Sequence, residues 1–160
     1  MKQNSAAATQ LLNDVSSQVK FSSRDEIEMT LSLSGQKIIR VEIKSVACPE
    51  CLAEIKKLKE NLKAHSDDYS QMPLPKGSHH SAILIRELIM KSRQQWSFPY
   101  KELELCHCRQ IATETVDASI IGGVHRVSEI GERTMAGTAC GTCRPVSQML
   151  IDYRLGDDED

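Results

Sequence analysis

Hydrophobic and polar positions along the 160-residue chain change period several times, and each change marks an element. From Thr9, the positions Leu12, Val15 and Val19 fall on one face of a helical wheel and predict a short amphipathic helix. The period then shortens to two. Met29, Leu31 and Leu33 alternate with polar residues, Ser34-Gly35 supplies a turn, and Ile39, Val41 and Ile43 resume the alternation. Glu26 to Ala47 therefore reads as a β-hairpin. Helical periodicity returns after Cys48-Pro49-Glu50-Cys51, with Leu52, Ile55, Leu58 and Leu62 on the dry face and Lys56, Lys57, Lys59 and Lys63 on the wet one. A polar, proline-containing loop from Asp67 to Ser78 leads to another helix over Ala82 to Trp96, with Ile83, Leu84, Leu88 and Ile89 inside.

Beyond Pro99 the apolar positions are sparser and the turn signals denser. Thr113 is placed to cap a short helix carrying Val116, Ile120 and Ile121, which Gly122-Gly123 ends. Ser128 is placed to cap a second, with Ile130 and Met135 as buried positions. Pro145 stands where the first turn of a last helix begins, and Val146, Met149, Leu150 and Tyr153 form its apolar stripe. Trp96 and Phe98 are the expected packing between the two parts of the chain. The pattern as a whole predicts an α+β protein: a unit of hairpin or sheet with helices over residues 9–98, then a small all-helical domain over 99–155. Residues 1–8 read as a disordered tail, and 156–160, ending Asp157-Asp158-Glu159-Asp160, as a solvated acidic one.

Composition narrows the function classes. A net charge of -2 and 40% hydrophobic residues suit one or two small domains, and near-neutral charge argues against nucleic acid as a partner. No apolar run approaches membrane length, so no membrane association is expected, and the N-terminus lacks the basic start and apolar core of an export signal. The six cysteines then read as metal ligands in a reducing, cytoplasmic setting rather than as disulfides. No Ser/His/Asp set, phosphate-binding glycine loop or acid/base pair in context points to an enzyme.

Four cysteines carry most of the chemical information: Cys106-His-Cys108 and Cys140-Gly-Thr-Cys143, with 31 residues between the pairs. Four thiolates suit a soft metal centre, either an iron–sulfur cluster or zinc. Structural zinc sites favour two Cys-x-x-Cys turns, whereas the first pair here is Cys-x-Cys, which favours the cluster. Gly137 and Gly141 allow the backbone close to an inorganic core, and the last helix, beginning just after Cys143, offers its N-terminal dipole to thiolate sulfur. About 50 residues with few aromatics bury little apolar surface, so a bound metal is expected to be a structural staple as well. His107 is expected to face solvent, and Arg109, Arg126, Arg133 and Arg144 are either cations around the centre or ordinary surface charges.

Two resemblances extend this picture. Leu105 to Tyr153, with both cysteine pairs and the run Ala136-Gly137-Thr138-Ala139-Cys140-Gly141-Thr142-Cys143-Arg144-Pro145, resembles the [2Fe-2S]-binding (BFD-like) domain of bacterioferritin-associated ferredoxin, found also in NifU-type assembly proteins. The resemblance implies a [2Fe-2S] cluster on Cys106, Cys108, Cys140 and Cys143, with zinc as the alternative occupant. The N-terminal part is similar to the scaffold domain of NifU- and IscU-type cluster-assembly proteins. Ser23-Arg24-Asp25 stands for that family's Cys-Gly-Asp, Ala47-Cys48-Pro49 for its Gly-Cys-Gly, and Leu74-Pro75 through His79-His80-Ser81 for its Leu-Pro-Pro…His-Cys-Ser. The family's cysteine positions then hold Ser23, Cys48 and His80, while Asp25 is kept, so one assembling cysteine remains.

Asp25, Cys48, Cys51, His79 and His80 are candidate ligands of a second zinc or iron site. The alternatives are that the Cys48/Cys51 pair simply packs, with His79-His80 exposed, or forms a redox dithiol at the helix N-terminus. The function expected is an accessory scaffold or carrier in iron–sulfur cluster assembly, with a cysteine desulfurase or an apo-acceptor as partner. The alternative is an electron-transfer module with a redox partner.

Overall fold

The computed structural model describes residues 12–156. The expected disordered tail, the first residues of the expected opening helix and all of the acidic tail except Gly156 lie outside the described residues. The fold is mixed α and β, with five helices and two small sheets among the described residues. In order these are β1 (Asn13–Phe21), β2 (Asp25–Ser34), β3 (Lys37–Val46), α1 (Pro49–Ala64), α2 (His80–Ser92), β4 (Glu104–Cys106), β5 (Ile111–Ala112), α3 (Thr113–Ile121), α4 (Val127–Thr134) and α5 (Arg144–Leu155).

The opening segment is a strand, not a helix. β1 pairs antiparallel with β2 from Asn13↔Leu33 to Phe21↔Asp25, so the expected hairpin is the second half of a three-stranded meander ordered β1-β2-β3. The four-residue gap between Val15 and Val19 fits both periods, two and 3.6, and the neighbouring β2 edge decides between them. The β2–β3 hairpin turns at Gly35, whose φ of +63° suits a residue without Cβ. One face of the sheet is dry: Ile27, Met29 and Leu31 are fully buried beneath the helices, each worth about 1.5–3 kcal/mol of burial. β3 is an edge strand with a register shift opposite Ser32/Leu33, so Ile38 pairs with Leu33 and is buried while Ile39 is exposed; Val41, opposite Leu31, is 38% exposed at the sheet edge.

α1 buries Cys51, Ile55, Leu58 and Leu62. Cys51 takes the inner position expected of Leu52, which is 49% exposed, because the spacing from Cys51 continues the seam while Leu52 lies about 100° around the helix. α2 starts two residues before the expected Ala82 and ends at Ser92, so Trp96 lies in the following segment. It covers β1 and β2 and packs along α1.

The remaining residues form a second core around Leu105, Val116, Ile120, Val124, Ile130, Leu150 and Ile151. This part is not all-helical: β4 and β5 form a short antiparallel ribbon. Thr113 does not cap α3. Its hydroxyl donates to Glu102 O at 2.6 Å and its N–H to Leu103 O at 2.8 Å, tying the helix start to the segment leading into β4. Arg126, not Ser128, holds the N-cap position of α4. Met135 is 49% exposed because the helix ends there in a left-handed turn, φ +68°, that swings it outward. On α5 the buried face is Ser147, Leu150, Ile151 and Arg154, one position around from the expected stripe, and Met149 is exposed.

The two parts meet as Trp96 and Phe98 led us to expect. Both rings pack against Tyr153, and the Arg154 guanidinium lies 4.9 Å from the Trp96 ring centre. Arg154 is held by a bidentate pair to Asp117 of α3, at 2.7 and 2.6 Å, and by Glu87 of α2 at 2.5 Å. Arg86 of α2 donates to the Arg154 and Leu155 carbonyls at the end of α5. Among the described residues no helix is long and apolar enough to cross a membrane.

Candidate metal centres

The four C-terminal cysteines are delivered by two short segments. Cys106 ends β4, and Cys108 follows in the turn before β5. Cys140 lies in the loop after α4, and Cys143 holds the N-cap position of α5. The Cys106 and Cys108 sulfurs are 3.7 Å apart, those of Cys108 and Cys140 3.5 Å, and Cys143 contacts Cys106. They line a surface cavity of about 390 Å³ together with Tyr100 and Val146. Cys106 and Cys143 form its buried floor, and Cys108 and Cys140 its exposed rim.

The ligand loop is built around two left-handed glycines. Gly137 has φ +73°, and a Cβ there would sit 2.9 Å from Arg144 Cγ and 3.7 Å from the Cys143 sulfur. Arg144 braces the loop by donating from Nε to Gly137 O at 3.0 Å and lies against Gly141. Of the other arginines considered, Arg109 contributes its backbone amide to Cys106, Arg126 is exposed beside Glu129 of its own helix, and Arg133 is exposed. His107 faces solvent as expected, bonded through Nδ1 to Glu104 at 2.8 Å; that bond raises its pKa.

Backbone amides sort the thiols into two kinds. The Thr142 hydroxyl and amide lower Cys140 to about 7, and the Gly137 amide lowers Cys106. Burial pushes Cys143 up to about 11, which outweighs the helix N-terminus expected to favour its thiolate. A cation or cluster would draw all four into the thiolate form and release the remaining protons. Four soft donors around an open cavity, with amides aimed at sulfur, fit an iron–sulfur cluster by donor chemistry. Thr142 is a contributor that the sequence reading missed, its hydroxyl lying two residues from one ligand and one from the other.

A second constellation lies in the N-terminal part. Asp25 opens β2, Cys48 caps α1, Cys51 lies in its first turn and His80 opens α2. One ligand atom from each falls within 4.8 Å of all the others. The Cys48 sulfur is 3.1 Å from His80 Nε2, and the Cys48 N–H donates to Asp25 Oδ1 at 2.7 Å. Burial raises the Asp25 pKa, but the Cys48 amide and the thiols outweigh it and hold the carboxyl below its ordinary value. Burial pushes the Cys51 thiol far up. The other candidates stand apart: His79 and Ser23 are exposed and outside the group.

Residues 105–152 match the family model of the BFD-like [2Fe-2S] binding domain, a stretch that contains all four C-terminal cysteines. The match supports an iron–sulfur, [2Fe-2S]-binding protein and bears on that section alone. No curated protein and no solved structure matches the chain significantly.

Proposed function

We propose that the chain holds one [2Fe-2S] cluster through Cys106, Cys108, Cys140 and Cys143 and acts as an accessory carrier in iron–sulfur cluster assembly, without catalysing a reaction of its own. The cluster supplies a one-electron redox centre and a unit of iron and sulfide that another protein can accept. The observation that carries the reading is the asymmetry of the site. Cys108 and Cys140 stand on an exposed rim, where thiolates of an apo-acceptor can displace them, while Cys106 and Cys143 anchor from below. The Thr142 donors lower Cys140 to about 7, so that much of it is thiolate near neutral pH, and the Gly137 amide favours the Cys106 thiolate. Partners would be proteins: an apo-acceptor at the rim, and a cysteine desulfurase as the source of sulfide. Six free thiols suit a reducing, cytoplasmic setting.

One observation favours electron transfer instead. The buried pair and the amides aimed at sulfur are features that retain a cluster, and a rim this exposed also admits a redox partner. The two readings separate in one experiment. Holo-protein is mixed under anaerobic conditions with an apo-acceptor of [2Fe-2S] type, and in parallel cycled with a mild reductant and oxidant. A carrier transfers its iron and sulfide to the acceptor; loss-free cycling with no transfer establishes the electron-transfer module.

A further inference from the structure

We propose that Asp25, Cys48, Cys51 and His80 form a mononuclear zinc(II) site, closed by four protein ligands, that staples the sheet to α1 and α2 and does not build iron–sulfur clusters. This inference stands on the geometry of the N-terminal part and not on the cluster reading.

The four donors have the composition and spacing of a closed zinc shell. Two soft thiolates and a borderline imidazole, joined by one carboxylate oxygen that zinc also accepts, suit zinc over magnesium or calcium. With Zn–S near 2.3 Å and Zn–N near 2.0–2.1 Å, a tetrahedral ion spaces its ligand atoms about 3.3–3.8 Å apart. The observed set lies within 4.8 Å throughout, and its Cys48–His80 contact is 3.1 Å, so small side-chain adjustments admit one ion. Cys48 and Cys51 also have the Cys-x-x-Cys spacing common in zinc turns.

The surroundings hold the donors in place. The Cys51 N–H points at the Cys48 sulfur, 3.4 Å away, and the Cys48 N–H fixes Asp25. Such bonds around a metal orient its ligands and favour their ionised forms. Asp25 is 5% exposed and Cys51 fully buried. Bringing a carboxylate and two thiols together in so dry a place is costly unless a cation compensates them.

The contrast with the C-terminal thiols argues against a second cluster. Those run as a chain from Cys143 through Cys106 and Cys108 to Cys140 along a surface cavity of about 390 Å³, whereas the N-terminal donors converge on a single point. A binuclear core needs room for two irons and two bridging sulfides within its ligand shell. The N-terminal shell has room for one ion and supplies only two sulfurs. Cys51 falls at none of the cysteine positions of the assembly scaffolds whose motifs the sequence resembles, and His80 puts an imidazole where they carry a thiol, so the site differs in chemistry as well as in size.

The test is zinc, iron and sulfide analysis of the full chain, expressed with zinc and purified without oxygen, together with X-ray absorption at the zinc edge. The expected result is about one zinc per chain bound by two sulfurs and two nitrogen or oxygen donors. Cys51→Ser and His80→Ala should lose zinc and keep iron, Cys106→Ser should lose iron and keep zinc, and His80→Cys should recover zinc with three sulfurs. That recovery distinguishes ligation from a fold requirement. Zinc bound by four sulfurs and lost in Cys106→Ser would overturn the proposal. So would a folded wild-type chain that takes up no zinc, a Cys48–Cys51 disulfide in the freshly purified protein, or a second set of iron and sulfide that disappears with Cys51→Ser.

Discussion

Replacing Arg154 by methionine should destabilise the protein at the junction of its two parts. The guanidinium is 5% exposed at its side chain and makes three charge-assisted hydrogen bonds, two to Asp117 and one to Glu87. Methionine keeps most of the stem packing and removes the charge. Asp117, itself 16% exposed, is then left as a mostly buried carboxylate without its bidentate partner, whereas Glu87 keeps Lys91 at 2.7 Å. Stranding one buried partner costs about 3–5 kcal/mol, and the surviving Lys91 pair points to the lower end. With a urea slope of about 1–3 kcal/mol/M, a loss of about 3 kcal/mol moves the midpoint down by about 1–3 M. The assay is urea titration of the full chain followed by far-UV circular dichroism and by fluorescence of Trp96, the one tryptophan, over whose ring Arg154 lies. Adding Asp117→Asn should recover part of the loss, because it removes the stranded charge. A midpoint shift below about 0.3 M in Arg154→Met would refute the claim that this buried pair joins the two parts.

Other outcomes follow from the two candidate centres. Among the four C-terminal cysteines of apo-protein at pH 7, iodoacetamide should modify Cys140 first and Cys143 last, because one is exposed with its pKa lowered to about 7 and the other is buried and raised to about 11; peptide mapping reads the order. The Cys140 rate should rise as pH climbs through about 7 and level off above it, since only the thiolate reacts. Gly137→Ala should cost about 2 kcal/mol, from a left-handed alanine and the displaced Arg144 brace, and should speed cluster loss to a chelator, measured by decay of visible absorbance. Removing the metal from the C-terminal section should lower its helix content and melting temperature, because a core of this size needs its staple; unchanged far-UV dichroism after chelation would contradict this.

What was legible in the chain was what depends on local spacing. The alternation of Met29, Leu31 and Leu33 predicts β2 because a strand's period leaves one reading open over that many residues. The Cys-x-Cys and Cys-x-x-Cys pairs identify the C-terminal centre because the segment turns tightly around them. Asp25, Cys48, Cys51 and His80 were nominated together by residue type, and the fold brings them to one point while leaving His79 and Ser23 outside. What was missed depends on partners distant in sequence. Val15 and Val19 fit a helix until β2 claims them as a neighbouring strand. Cys51 reads as chemistry in sequence, yet it is also the packing residue that turns Leu52 outward. Arg154 carries no local signal of burial, and it is buried only because Glu87 and Asp117 arrive from α2 and α3.

Iron, acid-labile sulfide and zinc analysis with a visible spectrum, on full-length protein purified without oxygen, tests the central claim most directly. The account predicts about two irons and two sulfides per chain, with visible bands that bleach on reduction and are lost in Cys106→Ser. A colourless protein that takes up neither iron nor sulfide on reconstitution, with zinc held by the four C-terminal sulfurs, would contradict it.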